Sequence, residues 1–234
     1  MDSLYIIMPA YNEEENIEKV VEQWYPVIEE IGHGSRLVVF NDGSKDQTEE
    51  KLLRLEEKYP HLVGITKENE GHGATLLTGY KYAIFEGADY VFQTDSDGQT
   101  LPKEFWPLWR ERRRCGLLLG YRKSRQDGWK RIFVTHVLKL VLFFSFQIWT
   151  KDANVPFRLM KSTQLRQVLQ SIPEGFNLSN VLMTVIYEKQ KLGVWYYPIT
   201  FRPRQGGTNS INMKKIVKIG KQAWKDFHKM KKSI

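Results

Sequence analysis

Within the first hundred residues, apolar runs at 4–8, 36–40, 62–66 and 90–94 alternate with segments whose apolar residues recur at helical spacing. The helical pattern is plain at 13–31, where Ile17, Val20, Val21, Trp24 and Ile28 share one face. It recurs at 46–59, with Leu52, Leu53 and Leu55 available for burial, and at 74–86. Apolar residues three and four apart specify a helix, and a short apolar run ended by Pro, Gly or Asn reads as a buried strand. Strands and helices in strict alternation fold as a mainly parallel sheet covered by helices on both faces, an α/β architecture. Ligands of such sheets gather beyond the carboxyl ends of the strands. The polar clusters at 11–13, 41–44, 67–69 and 95–99 all fall there, so four loops are expected to converge on one site. Asn12 is expected to cap the first helix, which would begin at Glu13.

The second half has a different texture. A strand is expected at 117–120, then a long apolar segment at 128–150, a polar stretch carrying Asp152, and helices at 163–170 and 178–191. A strand at 194–201 and a basic helix at about 213–231 complete the chain. No internal repeat or linker divides it, which favours a single domain over residues 1–234. The formal net charge is +8, with excess basic residues at 110–130 and 214–232. That balance favours anionic partners. Nucleic acid is not expected among them, because no recognisable reading element accompanies the basic residues. A lone cysteine, Cys115, excludes an internal disulfide and suits a reducing compartment. The first residues lack the basic and apolar regions of a secretory signal, so a cytoplasmic location is expected.

Asp95, Asp97 and Gln99 lie on alternate residues beyond the fourth strand, and residues two apart on an extended chain point the same way. Hard oxygen ligands of this kind suit Mg²⁺ or Mn²⁺, which a diphosphate would also bind. A polar turn with helix-capping aspartates is the plain alternative. Asp42, after the second strand, can accept hydrogen bonds from a base or ribose, or can simply form an Asx turn. Pro9, Tyr11 and Glu13 offer a similar choice: Tyr11 stacking on a base and Glu13 binding a ribose hydroxyl, or the start of a helix.

Taken together, Pro9-Ala10-Tyr11-Asn12-Glu13, Asn41-Asp42-Gly43-Ser44, residues 69–79 (NEGHGATLLTG) and Asp95-Ser96-Asp97 resemble the family 2 glycosyltransferases of the GT-A fold. Asn41 departs from the aspartate that many relatives carry. The later residues are similar to the dolichol-phosphate mannose synthase and polyprenyl-phosphate glycosyltransferase branch. There the resemblance rests on Arg122, on Lys130-Arg131 with Thr135, on Asp152 with Pro156-Phe157-Arg158, and on Arg204 with Gly207-Thr208. Pro156 replaces a usual glycine, and residues 209–211 replace a common Ser-Lys-Leu run.

The resemblance implies a metal-dependent inverting transferase. It would take a UDP- or GDP-sugar through Pro9, Tyr11, Glu13, Asp42, Asp95 and Asp97, with Mg²⁺ or Mn²⁺ on Asp95, Asp97 and Gln99. A polyprenyl phosphate acceptor would meet Arg122, Arg131, Thr135 and Arg204. Asp97 and Asp152 would be catalytic, Asp152 as base or as organiser. Residues 1–115 would form the nucleotide-sugar half, 116–212 the acceptor half, with an apolar acceptor-side helix, and 213–234 a basic amphipathic helix. A saccharide or lipid-linked sugar hydroxyl as acceptor, or a non-catalytic binding module, are the competing readings. Lys139, His136 and Gln147 interrupt the apolar segment, so it is expected in the membrane interface or in the core, not as a span. Docking would be peripheral on the cytosolic membrane face, or through a membrane-protein partner.

Overall fold

The computed structural model describes residues 2–122, 129–173, 175, 176, 178–206 and 227, with residues 129–136 described by backbone alone. Strands β1 (Leu4–Ala10), β2 (Arg36–Asp42), β3 (Leu62–Lys67) and β4 (Tyr90–Thr94) alternate with helices α1 (Ile17–Ile31), α2 (Thr48–Lys58) and α3 (His72–Phe85). A 3-10 turn at Pro102–Glu104 leads into α4 (Phe105–Arg110). Then come β5 (Leu117–Arg122), α5 (Trp129–Phe146), β6 (Phe157–Lys161), α6 (Ser162–Leu169), α7 (Ser179–Lys189) and β7 (Val194–Ile199).

The seven strands form one sheet in the order β3-β2-β1-β4-β6-β5-β7. All neighbouring pairs are parallel except those involving β6, which runs antiparallel to both β4 and β5. The mainly parallel α/β sheet expected from the alternation is therefore present. β6 and α4 are additions that the apolar pattern did not announce. β6 reads Phe-Arg-Leu-Met-Lys, and an arginine in second place hides a strand that is nonetheless buried over its first four residues.

Register decides which face each side chain serves. Ile6 pairs with Phe92 and Ile7 with Gln93, so Ile6 and Phe92 share one face, and Ile7 and Gln93 the other. On the first face Phe92 meets Trp24 of α1 at 5.3 Å, Phe105 of α4 at 5.0 Å and Phe157 of β6 at 4.8 Å between ring centres. Offset and edge-on aromatic contacts of this kind add to the energy of burial alone. On the second face α3 lies so close that a Cβ on Gly79 would come within 2.4 Å of Ile7 Cγ2.

Helix α1 starts later than expected. Residues 13–16 form a turn in which the amides of Asn16 and Ile17 donate to the Glu13 carbonyl at 2.9 and 2.8 Å, and the regular helix opens at Ile17. Asn12 is not its cap; its backbone is left-handed, with φ of 54°, and its side chain serves the neighbouring loop.

Gly79→Ala should destabilise the fold. Overpacking against Ile7 costs about 1–3 kcal/mol, more than the roughly 1 kcal/mol that alanine returns in helix propensity. Equilibrium denaturation of the two proteins checks it; equal midpoints would show that α3 can lift off the sheet freely.

Candidate active site

The parallel register brings the carboxyl ends of β1, β2 and β4 to one edge of the sheet, and hydrogen bonds tie the three loops together. Ser96 Oγ donates to the Pro9 carbonyl at 2.8 Å. The Asn12 amide donates to Ser44 Oγ at 2.9 Å, and Asn12 Oδ1 accepts from the Lys45 amide at 2.8 Å. Its left-handed backbone, which asparagine tolerates better than most residues, turns it towards that loop. Pro9 is buried in β1 and supplies a carbonyl to hold the aspartate loop. Tyr11 is 41% exposed at the mouth, free to meet a planar ligand.

Asp95 and Asp97 stand where the sequence placed them. Asp95 Oδ1 accepts from Gln93 Nε2 at 3.1 Å and lies 3.2 Å from His72 Nε2. Asp97 Oδ1 accepts from the Gln99 amide at 3.1 Å, and its Oδ2 is 3.9 Å from Arg204 Nη1. Burial, and then the negative charge of Asp95, push the Asp97 carboxyl up to about 7. Nearby Glu13 is also raised, first by burial, against the lowering effect of Asn16 and Arg204. Partly buried carboxylates that repel one another fit a cation, and oxygen donors of this type suit Mg²⁺ or Mn²⁺. Among the described residues no group of three or more His, Cys, Asp or Glu is arranged to hold a metal ion. Asp95 and Asp97 would therefore supply part of a coordination shell, leaving positions for diphosphate and water. Gln99 has another task here: its Nε2 donates to the Arg202 carbonyl at 2.8 Å.

That contact belongs to a strap, residues 200–206, lying across the aspartate loop. The Arg202 amide donates to the Gln99 carbonyl at 2.9 Å and Arg202 Nη2 to the Gly98 carbonyl at 2.9 Å. Arg204 Nη2 donates to Glu13 Oε1 at 2.6 Å. Arg204 thus faces Glu13 and Asp97. Glu13 is 6% exposed and also accepts from Asn16 Nδ2 at 2.7 Å.

Asp42 is almost fully buried and holds the loop before α3. Its Oδ1 accepts from Lys67 Nζ at 2.6 Å and the Glu70 amide at 3.0 Å, and Oδ2 from the Gly71 amide at 2.9 Å. Burial raises this carboxyl, but Lys67 and the Glu70 amide outweigh it and hold Asp42 below the usual aspartate range. Gly43 follows with φ of +67°, where a Cβ would come within 2.9 Å of the Asn69 nitrogen. Lys67 and His72 are site residues that the sequence reading does not single out; the signal for them is their place at the end of β3 and just beyond it.

On the other side, Arg122 at the end of β5 meets Asp152 in a fork, Nε to Oδ2 at 2.7 Å and Nη2 to Oδ1 at 3.0 Å. The guanidinium also lies over Phe201 of the strap, 4.9 Å from its ring centre. Because β6 runs antiparallel, Asp152, before its start, comes back to the edge that carries Asp95. Arg131 and Thr135 fall on the first turns of α5, and their side chains lie outside the described residues. Further along, Leu142, Ser145 and Phe146 are buried, whereas Val137, Leu140, Phe143, Phe144 and, just beyond the helix, Trp149 are exposed. One face of this segment is core, as one of the two expectations has it, and the other is apolar and exposed. Among the described residues no helix is long and apolar enough to cross a membrane. The expected basic helix at 213–231 lies outside the described residues apart from Phe227, which is buried with its ring centre 5.5 Å from that of Phe146 and 6.0 Å from that of Phe176.

The model of the family described as glycosyl transferase family 2 matches residues 5–171, most of the chain and every loop described above except the strap at 200–206. The chain belongs to that family. A dolichyl-phosphate beta-glucosyltransferase of Trichomonas vaginalis is 30% identical over 171 residues, 65% of this chain and 51% of that protein. An undecaprenyl-phosphate 4-deoxy-4-formamido-L-arabinose transferase of Pseudomonas syringae is 28% identical over 161 residues, 68% of this chain and 47% of that one. This chain thus spans about half the length of these two relatives. In fold it is similar to glucosyl-3-phosphoglycerate synthase from Mycobacterium tuberculosis, solved with Mn²⁺, UDP and phosphoglyceric acid. That likeness has a TM-score of 0.74 at 16% identity, covering 98% of this chain and 78% of the synthase. The sheet and its flanking helices are those of the GT-A fold.

Asp42 also makes a prediction for acid stability. A carboxyl held below its ordinary value of 3.8 contributes stability that is fully present above that pH and is lost as pH falls through the lower folded value. Asp42→Asn should therefore be less stable than the parent at neutral pH, with the gap closing below about pH 4. Urea denaturation across that range measures it; a gap independent of pH would show that the Lys67 pairing contributes nothing ionic.

Proposed function

We propose that this chain is a metal-dependent inverting glycosyltransferase that moves a sugar from a UDP- or GDP-sugar to a polyprenyl phosphate. The carrying observation is that the Asp95–Asp97 pair and the Arg122–Asp152 pair share one edge of the sheet, beside a helix with an exposed apolar face. The polyprenyl-phosphate substrates in both relatives' names agree with that arrangement. Residues 1–115 would hold the donor, residues 116–212 the acceptor, and residues 213–234 would add basic charge towards an anionic surface.

Each residue then has a task. Asp95 and Asp97 hold the divalent ion, with Gln99 as an additional oxygen donor if its amide lets go of Arg202. When bound, Mg²⁺ or Mn²⁺ offsets the charge gathering on the departing diphosphate. Tyr11 lies against the base, Glu13 reaches the ribose, and Pro9 and Asp42 keep their loops in place around the nucleotide. Arg204 turns from Glu13 towards the diphosphate, a shift that its two carboxylate neighbours leave within reach. Arg122, Arg131 and Thr135 receive the acceptor phosphate, for which forked guanidinium contacts are well suited. A phosphate oxygen is already ionised near neutral pH, so the displacement needs orientation more than proton removal. Asp152, with both oxygens accepting from Arg122, has the geometry of an orienting group.

The open face of α5 supports the acceptor class. Leu140, Phe144 and Trp149 are 50, 66 and 67% exposed, and apolar surface of that kind is favoured in the membrane interface, close to the isoprenoid chain of a lipid acceptor. The protein would then work peripherally at a cytosolic membrane face, alone or beside a membrane-protein partner.

Asp97→Asn should lower transfer at least about 100-fold, in line with loss of electrostatic stabilisation at a reacting diphosphate, and should remove the Mn²⁺-dependent thermal stabilisation by nucleoside diphosphate. Full turnover in that variant would defeat the metal assignment. Replacing Leu140, Phe144 and Trp149 by serine should leave the folding midpoint within a few degrees and cut co-sedimentation with anionic vesicles several-fold. Undiminished vesicle binding would remove the membrane role of α5.

A further inference from the structure

The donor-side and acceptor-side carboxylates are joined beneath the site by a chain of buried polar groups. Gln93 Nε2 donates to Asp95 Oδ1 at 3.1 Å, and Gln93 Oε1 accepts from Asn180 Nδ2 at 3.2 Å. Asn180 Oδ1 accepts from the Tyr80 hydroxyl at 3.2 Å, so both ends of the Asn180 amide are fixed. The Asn180 carbonyl in turn accepts from Arg158 Nη1 at 3.0 Å. Arg158 Nη2 donates to the carbonyls of Ala153 and Val155, both at 3.1 Å, in the loop that follows Asp152. Thr184 Oγ1 lies 2.9 and 3.1 Å from the carbonyls of Asn180 and Ala153, closing the ring.

Gln93, Tyr80, Arg158 and Thr184 are 0% exposed and Asn180 3%. Gln93 and Arg158 are also direct register partners on β4 and β6, so the link crosses the sheet where the antiparallel strand enters. Burying a guanidinium is costly, and an apolar side chain of similar volume would fill the space at less expense. An apolar residue would not, however, fix the carbonyls of residues 153 and 155 in relation to β4. A fully satisfied buried network of this kind rigidifies its surroundings.

We propose that Gln93, Asn180 and Arg158 are positioning residues: a buried brace that sets the distance between Asp95 and the Asp152–Arg122 pair, and so between donor and acceptor. The proposal rests on the two-sided reading of the site given above. In-line displacement tolerates little error, and a misplacement of about 1 Å costs on the order of 100-fold in rate. The brace should therefore act on kcat and leave both substrates' KM values almost unchanged.

The test compares the full chain with Asn180→Leu and with the milder Tyr80→Phe, which keeps the ring and removes the hydroxyl. Steady-state transfer would be measured with a nucleotide-sugar, Mn²⁺ and polyprenyl phosphate, alongside calorimetric binding of Mn²⁺ and nucleoside diphosphate. Expected are a kcat loss of about 10–100-fold in Asn180→Leu and about 3-fold in Tyr80→Phe, with KM and calorimetric affinity within about twofold of the parent. Combined with Asp152→Asn, either change should cost less than the product of the separate losses, because both act through the same pair. If Asn180→Leu fails to fold, the Tyr80→Phe cycle decides. Unchanged kcat in folded variants, a rise confined to KM, or losses that multiply would overturn the brace. A parent protein active on a saccharide but inert with polyprenyl phosphate removes the acceptor assignment alone, and the same comparison then runs with the saccharide. A parent inert with every acceptor removes both.

Discussion

The reversal of β6 is the constraint on which the architecture of the site depends. Four parallel strands deliver their loops to one edge, but a parallel strand at the position next to β4 would carry the segment before it to the opposite edge. Running antiparallel between β4 and β5, β6 returns Asp152 to the edge where Asp95 and Asp97 already stand. β5 then brings Arg122 alongside, and the forked pair closes the far side of the cleft. The two aspartates and the forked pair thus stand at one edge of a single sheet.

Electrostatics gives that edge its chemical character. Negative side chains crowd at the end of β4 and at Glu13, and burial raises the cost of keeping them ionised. Arg204 answers part of that charge from the strap. In the function proposed above, a divalent ion and a diphosphate arriving together would replace contacts that the protein now makes itself. Asp42 has found a different solution: Lys67 and two backbone amides neutralise it within its own loop, leaving it a fixed support.

Much of this was legible from the amino-acid order. The first four strands follow from apolar runs too short for helices, and the loops carrying Tyr11, Asp42, Asp95 and Asp97 follow from what interrupts those runs. β6 was not legible, because a buried arginine satisfied by backbone carbonyls looks like any other arginine in a sequence. Asn12 looked like a helix cap because a cap and a left-handed loop residue use the same side-chain chemistry. The strap was hidden for another reason: Gln99 and Arg202 meet across 103 positions, and neither residue carries a local pattern that names the other. Arg122 and Asp152 were picked out for separate tasks, and only the fold shows them as one unit.

Phe227 adds a topological consequence. Its ring is seated beside Phe146, on the inward side of α5, while residues 200–206 are pinned across the aspartate loop. The two described pieces of chain after the last strand are held at separate places, residues 200–206 on the aspartate loop and Phe227 in the core. Gly98 and Gln99 are clasped through both backbone and side chain, so the aspartate loop and the strap are coupled, and whatever displaces one tugs on the other.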